Sequence, residues 1–193
     1  MKQKIKVAID VRDLRISKSG ANTYLHEIVN QMKLGSEKFD YLFFDSILPA
    51  YTGKNKILKS FEHALFFFWK QFSLPIRAYL KGCKIIFCTD YFVPYFSLGI
   101  KTIPVFHDAF FWESPQHYSK PWLFILQLIG VPAARRSPYI VTVSEYSKLR
   151  IAQFTGLDKE KIISIYLAPK SIDLLQKNDH GQLNKEWIPL LSK

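Results

Sequence analysis

Two alternating periods constrain this chain more than any other feature. Short runs rich in β-branched and aromatic residues alternate with longer stretches patterned every three or four residues. Residues 5–9, 39–44, 84–88, 102–106, 139–143 and 162–166 read as strands. Between them, Tyr24, Leu25, Ile28, Val29 and Met32 share one helical face. Residues 54–80 read as a helical stretch bent or broken near Pro75, and 121–136 as a helix interrupted by Gly130 and Pro132. Residues 144–154 read as a helix closed by Gly156. Strands without polar alternation are covered on both faces, and strands alternating with helices need crossover connections. The expected fold is therefore α/β, a Rossmann-like, doubly wound, mostly parallel sheet.

In such a sheet ligands gather beyond the carboxyl ends of the strands. The loop after the first run closes at Ser19-Gly20, where a capping serine and a glycine open a helix whose free amides can meet an anion. The same pair also suits a plain capped turn. His107-Asp108 follows the fourth run, and a histidine there can hydrogen-bond a sugar hydroxyl or carbonyl, move a proton, or hold a loop. Asp90-Tyr91 could offer an acid to sugar hydroxyls and an aromatic face to the ring, or could tether the loop. Ser144 reads as a helix N-cap with Glu145 at the positive end of the dipole. The glycines that would make it a nucleophile are absent.

Cys83 and Cys88 complete neither a disulfide framework nor a zinc set, and His26, His63, His117 and His180 have no ligand spacing. No metal site is expected. The balance of 27 Lys and Arg against 16 Asp and Glu gives +11 and favours anionic partners. Much of it lies in residues 54–84, where seven cations and one acid interleave with Phe66, Phe67, Phe68, Trp69 and Phe72. Such a stretch suits a core helix, an acidic membrane surface or single-stranded nucleic acid. No nucleic-acid motif accompanies it. No apolar stretch nears the roughly 18 residues of a spanning helix, and the N-terminus lacks a signal core. The expected setting is cytoplasmic, with peripheral contact at the inner face of the cell membrane. Residues 1–168 are expected to form one domain, followed by a linker or tail at 169–193.

Four segments in order resemble the N-terminal, acceptor-side domain of the family 4 (group 1) glycosyltransferases, which have the GT-B fold. They are KVAIDVRDL with SGANTYLHEIV, WKQFSLPIRAYLK with IIFCTDYFVPY, IPVFHDAFFWESPQHYS, and IVTVSEYSKLRI with GLDKEKIISIYLAP. The resemblance implies transfer of a hexose from a nucleotide-diphosphate sugar, a co-substrate rather than a cofactor, to a glycan or lipid-linked glycan, commonly with retention. It implies that Ser19 and Gly20 approach the donor phosphates and that His107 contacts the transferred sugar. Acceptor contacts would fall to Arg12, Asp13, Asp90, Tyr91 and Asp108. It also implies a nucleotide-binding second domain, absent from these 193 residues, without which little turnover is expected. The rival reading is a non-catalytic basic Rossmann-like module for nucleic acid or acidic membranes.

Overall fold

The computed structural model describes residues 3–15, 20–47, 51, 53 and 55–167. Ser19 and the expected tail at 169–193 lie outside the described residues. Strands β1 (Ile5–Asp10), β2 (Phe39–Phe44), β3 (Ile85–Cys88) and β4 (Lys101–Pro104) form a parallel sheet in the order β2-β1-β3-β4. A second parallel pair, β5 (Ile140–Thr142) and β6 (Ile162–Ser164), meets its edge through a bridge between Val105 and Val141. Pro104 explains the narrow seam. The N–H groups of Lys101 and Val105 donate to Lys84, just before β3, and to Cys88 at its end, while that of Phe106 donates to Val141 at 2.8 Å. Alternation thus turns position 104 towards β5, where proline has no N–H to give.

The order makes the sheet doubly wound. Helix α1 (Gly20–Lys33) carries the chain from β1 to β2 on one side, and the next crossover returns past β1 to β3 on the other. Right-handed crossovers in opposite directions leave helices on opposite faces. Packing follows strand alternation. Val7, Ile9, Ile85 and Phe87 meet Leu25 and Val29 of α1, whereas Ala8, Ile86 and Cys88 meet Trp69, Leu74 and Ala78 of the second crossover. The α/β, Rossmann-like architecture expected from the two periods is the one observed. Its switch point lies between β1 and β3.

The interruptions expected in the two long helical stretches are not breaks. Helix α2 (Lys56–Phe68) continues through a π-helical turn (Trp69–Ser73) into α3 (Leu74–Leu80). After the short α4 (Phe110–Glu113), helix α5 (Lys120–Ile125) likewise continues through a π turn (Leu126–Gly130) into α6 (Val131–Arg136). Pro75 and Pro132 each stand two residues past a π turn. The wider turn shifts the hydrogen-bond register, so the donor that proline lacks is not required and the rod carries on. Gly130 has helical angles, and a Cβ there would lie 2.8 Å from Leu126 and 3.2 Å from Phe92. Close packing, not helix breaking, is what it serves. Helix α7 (Glu145–Thr155) begins where the Ser144 hydroxyl accepts from the Ser147 N–H at 3.1 Å, and ends at Gly156 with φ +64°.

Candidate functional site

At the switch point β1 ends in Asp10, and β3 runs into Thr89-Asp90. Strand alternation gives Asp10 the same face as Ala8, so it turns towards the α2–α3 rod. Lys70, in the π turn and 1% exposed, donates to Asp10 Oδ2 at 2.5 Å and to Asp90 Oδ1 at 2.7 Å. Asp10 Oδ1 accepts from the Trp69 indole at 3.0 Å and from the Arg12 N–H at 3.2 Å. The buried Arg12 guanidinium pairs with Glu62, whose other oxygen accepts from the Tyr51 N–H at 3.0 Å. Both cations lie near the Phe66 ring, Arg12 at 5.5 Å and Lys70 at 5.4 Å from its centroid. Buried charges persist only when paired in this way.

The cluster is rich in carboxylates. Burial alone would lower the pKa of Lys70, but Asp10 and Asp90 outweigh it and hold the ammonium well above its ordinary range. Asp90 is pushed up to about 7, first by burial and then by Asp13 and Asp10, against the pull of Lys70. Asp13 is also raised, chiefly by burial. Burial and the neighbouring carboxylates thus both favour the protonated form of Asp90, while the Lys70 ammonium opposes them. Among the described residues, Asp10, Cys88 and Asp90 are close enough to hold a metal ion. The Lys70 ammonium already joins both carboxylates, and burial drives the Cys88 thiol well above its usual pKa. That donor set fits an ammonium better than a metal ion.

His107 stands beyond β4 on the same rim. Its Nε2 lies 2.9 Å from the Thr89 carbonyl oxygen. A carbonyl only accepts, so Nε2 carries the proton and Nδ1 is the acceptor of the neutral ring. Burial lowers the pKa of His107, with Thr89 and Asp108 pulling the other way. The ring therefore offers a lone pair to a hydroxyl. Tyr24, one turn into α1, meets His107 edge-on at 5.0 Å, and burial raises its phenol to about 12. The start of α1 and the end of β4 thus converge. The first turn of α1 carries no acid, and a Cβ at Gly20 would meet nothing within 4 Å. Among the described residues, therefore, no protein atom crowds that position.

The other expected residues fall into place around this core. Asp90 and Asp13 belong to the carboxylate cluster, whereas Arg12 is turned inward and committed to Glu62. Tyr91 donates to Asp108 Oδ1 at 3.0 Å, and the same oxygen accepts from the Phe110 N–H at 2.9 Å. That pair holds the loop after β4. Sequence reasoning passed over Lys70, Trp69, Glu62 and Tyr24. For Lys70 a signal was present: it shares a helical stripe with Phe66 and Leu74, and a lysine between apolar neighbours there needs a buried acid.

No protein-family model matches this chain, and no curated protein does. Among solved structures it is similar to Arabidopsis thaliana UGT89C1 complexed with UDP-L-rhamnose. The TM-score is 0.46 at 16% sequence identity, covering 93% of this chain and 56% of that one. The chain spans little more than half the length of that structure. A likeness of this degree assigns neither ligand nor activity.

Proposed function

We propose that this chain is the acceptor-side half of a glycosyltransferase of the GT-B kind, transferring a hexose from a nucleotide-diphosphate sugar to a glycan or lipid-linked glycan. The observation that carries the reading is the convergence of Tyr24, His107 and the Asp10–Lys70–Asp90 cluster at the switch point, behind a helix start left open at Gly20. Carboxylates and a neutral imidazole accept hydrogen bonds from hydroxyls, which is what an acceptor sugar presents. The first turn of α1, from Gly20 on, offers amides to a diphosphate, and the family resemblance adds Ser19 to that role. Asp13 and Asp90 orient the acceptor hydroxyl, His107 contacts the transferred sugar, and Lys70 fixes Asp90 while Arg12 is held by Glu62. Asp108 and Tyr91 frame the loop beside it.

In this reading the sugar–phosphate bond breaks through an oxocarbenium-like transition state. Stabilising the departing diphosphate supplies most of the acceleration, and much of that falls to a second domain. The chain alone is expected to bind nucleotide sugar poorly. The test is His107→Ala in an assembly that includes the nucleotide-binding half. Expected is a fall in kcat of about 10²-fold or more, with acceptor KM little changed. Unchanged turnover removes His107 from the mechanism.

A further inference from the structure

Two cavities share no lining residue with the cluster at Asp10 and His107, and they adjoin at Tyr95 and Phe96, which line both. The first is a groove of about 660 Å³ between the two helical rods, walled by Phe67, Phe68 and Phe72 on one side and by Ile125, Leu128 and Ile129 on the other. No charged residue lines it, and both π turns contribute to its walls. Phe68, Phe72, Phe96 and Leu128 are 55%, 57%, 73% and 59% exposed. Contiguous apolar exposure of this kind marks an interaction surface.

The second cavity, about 590 Å³, opens at the amino ends of β4, β5 and β6, opposite the rim that carries His107. Lys101, Arg136 and Lys161 line it, no carboxylate does, and none of the three is ion-paired among the described residues. Arg136 lies 4.1 Å from the Tyr95 ring centroid, so the cationic pocket and the apolar groove are in direct contact. The surroundings share the same sign. Lys59, Lys120, Arg135 and Arg136 are exposed on the rods, and the one carboxylate of residues 56–80, Glu62, is buried against Arg12. Residues 115–136 contain no acid at all.

An apolar trough joined to a pocket of unpaired cations matches an amphiphile with an anionic head. We propose that this face docks on an anionic phospholipid bilayer, with a lipid phosphate held by Lys101, Arg136 and Lys161. Phe68, Phe72, Phe96 and Leu128 enter the acyl boundary. The proposal does not rest on the sugar-transfer reading, and binding is measured without turnover.

The 193-residue chain is sedimented with vesicles of equal phosphatidylglycerol and phosphatidylcholine, and with phosphatidylcholine alone, over a salt series. Expected is binding to the anionic vesicles only, weakened about tenfold or more by Lys101→Glu with Lys161→Glu. Phe68→Ser with Phe72→Ser leaves contact that moderate salt releases. Phe96→Ser, at the most exposed of these positions, repeats the test should the double variant fold poorly. Three results overturn the proposal: equal binding to neutral vesicles, undiminished binding by the folded lysine variant, or single-stranded DNA displacing the vesicles. A dimer seen by light scattering that Phe68→Ser with Phe72→Ser dissolves, without vesicle binding, overturns it in favour of self-association.

Discussion

At the carboxyl ends of β1 and β3, charge is buried and matched: Lys70 with Asp10 and Asp90, Arg12 with Glu62. At the amino ends of β4 to β6, Lys101, Arg136 and Lys161 line an open pocket with no ion pair among the described residues. One sheet therefore presents two kinds of charged site. Matched burial fixes side chains in place. Unmatched charge at a surface costs little to keep hydrated, and attracts a partner of the opposite sign. The first end holds its charges buried and paired; the second leaves them open to solvent.

The sharpest way to break this comparison is to unmatch the buried end. Lys70→Met keeps the length of the side chain but leaves Asp10 and Asp90 buried without their cation. We expect a loss of about 3–5 kcal/mol by urea unfolding, a large share of the roughly 5–15 kcal/mol of a typical domain. Adding Asp10→Asn and Asp90→Asn should recover part of it. A Lys70→Met protein as stable as the parent would mean that the cluster is hydrated and not matched.

A middle-sized effect should appear in the pH dependence of stability. The pKa of Asp90 rises to about 7 on folding, from about 4 in the unfolded chain. The folded state then holds a proton that the unfolded state has lost, so this contribution is full below about pH 4 and falls as pH climbs towards 7. His107, lowered by burial, works the other way. Its contribution is present above about pH 6.5 and is lost as pH falls through the depressed value. Asp90→Asn should reduce the decline between about pH 4 and 7, leaving the share of Asp13 and the His107 trend. A pH profile of unfolding midpoints, with and without the substitution, reads this directly.

The smallest effect belongs to the open end. Phe68→Ser with Phe72→Ser should change stability by less than about 1 kcal/mol, because both rings are more than half exposed. A larger loss by thermal melting would show that they serve the core.

Much of this was legible in the residue order. The apolar runs located the six strands to within a few residues, because period-two and period-3.6 patterns are imposed by burial itself. Strand-end reasoning also pointed to the loops that carry Asp90 and His107. What it could not read was pairing across the fold. Lys70 lies 60 residues from Asp10 and 20 from Asp90 along the chain, so in sequence it counted only as one more cation in a basic stretch. Pro75, Gly130 and Pro132 misled for a related reason. Their local preference is to end a helix, whereas a π turn lets each rod absorb the missing donor. Arg12 was expected at the acceptor because nothing nearby announces its partner Glu62, 50 residues on.

The most direct test of the central claim is to watch the His107 ring by NMR while uridine- and guanosine-diphosphate sugars, free nucleotides and short oligosaccharides are titrated into the chain. The account predicts that oligosaccharides shift the His107 and Tyr24 resonances, that nucleotides alone barely do, and that Asp90→Asn weakens the response. Shifts confined to the Lys101–Arg136–Lys161 pocket, with His107 and Tyr24 silent to every carbohydrate, would contradict it.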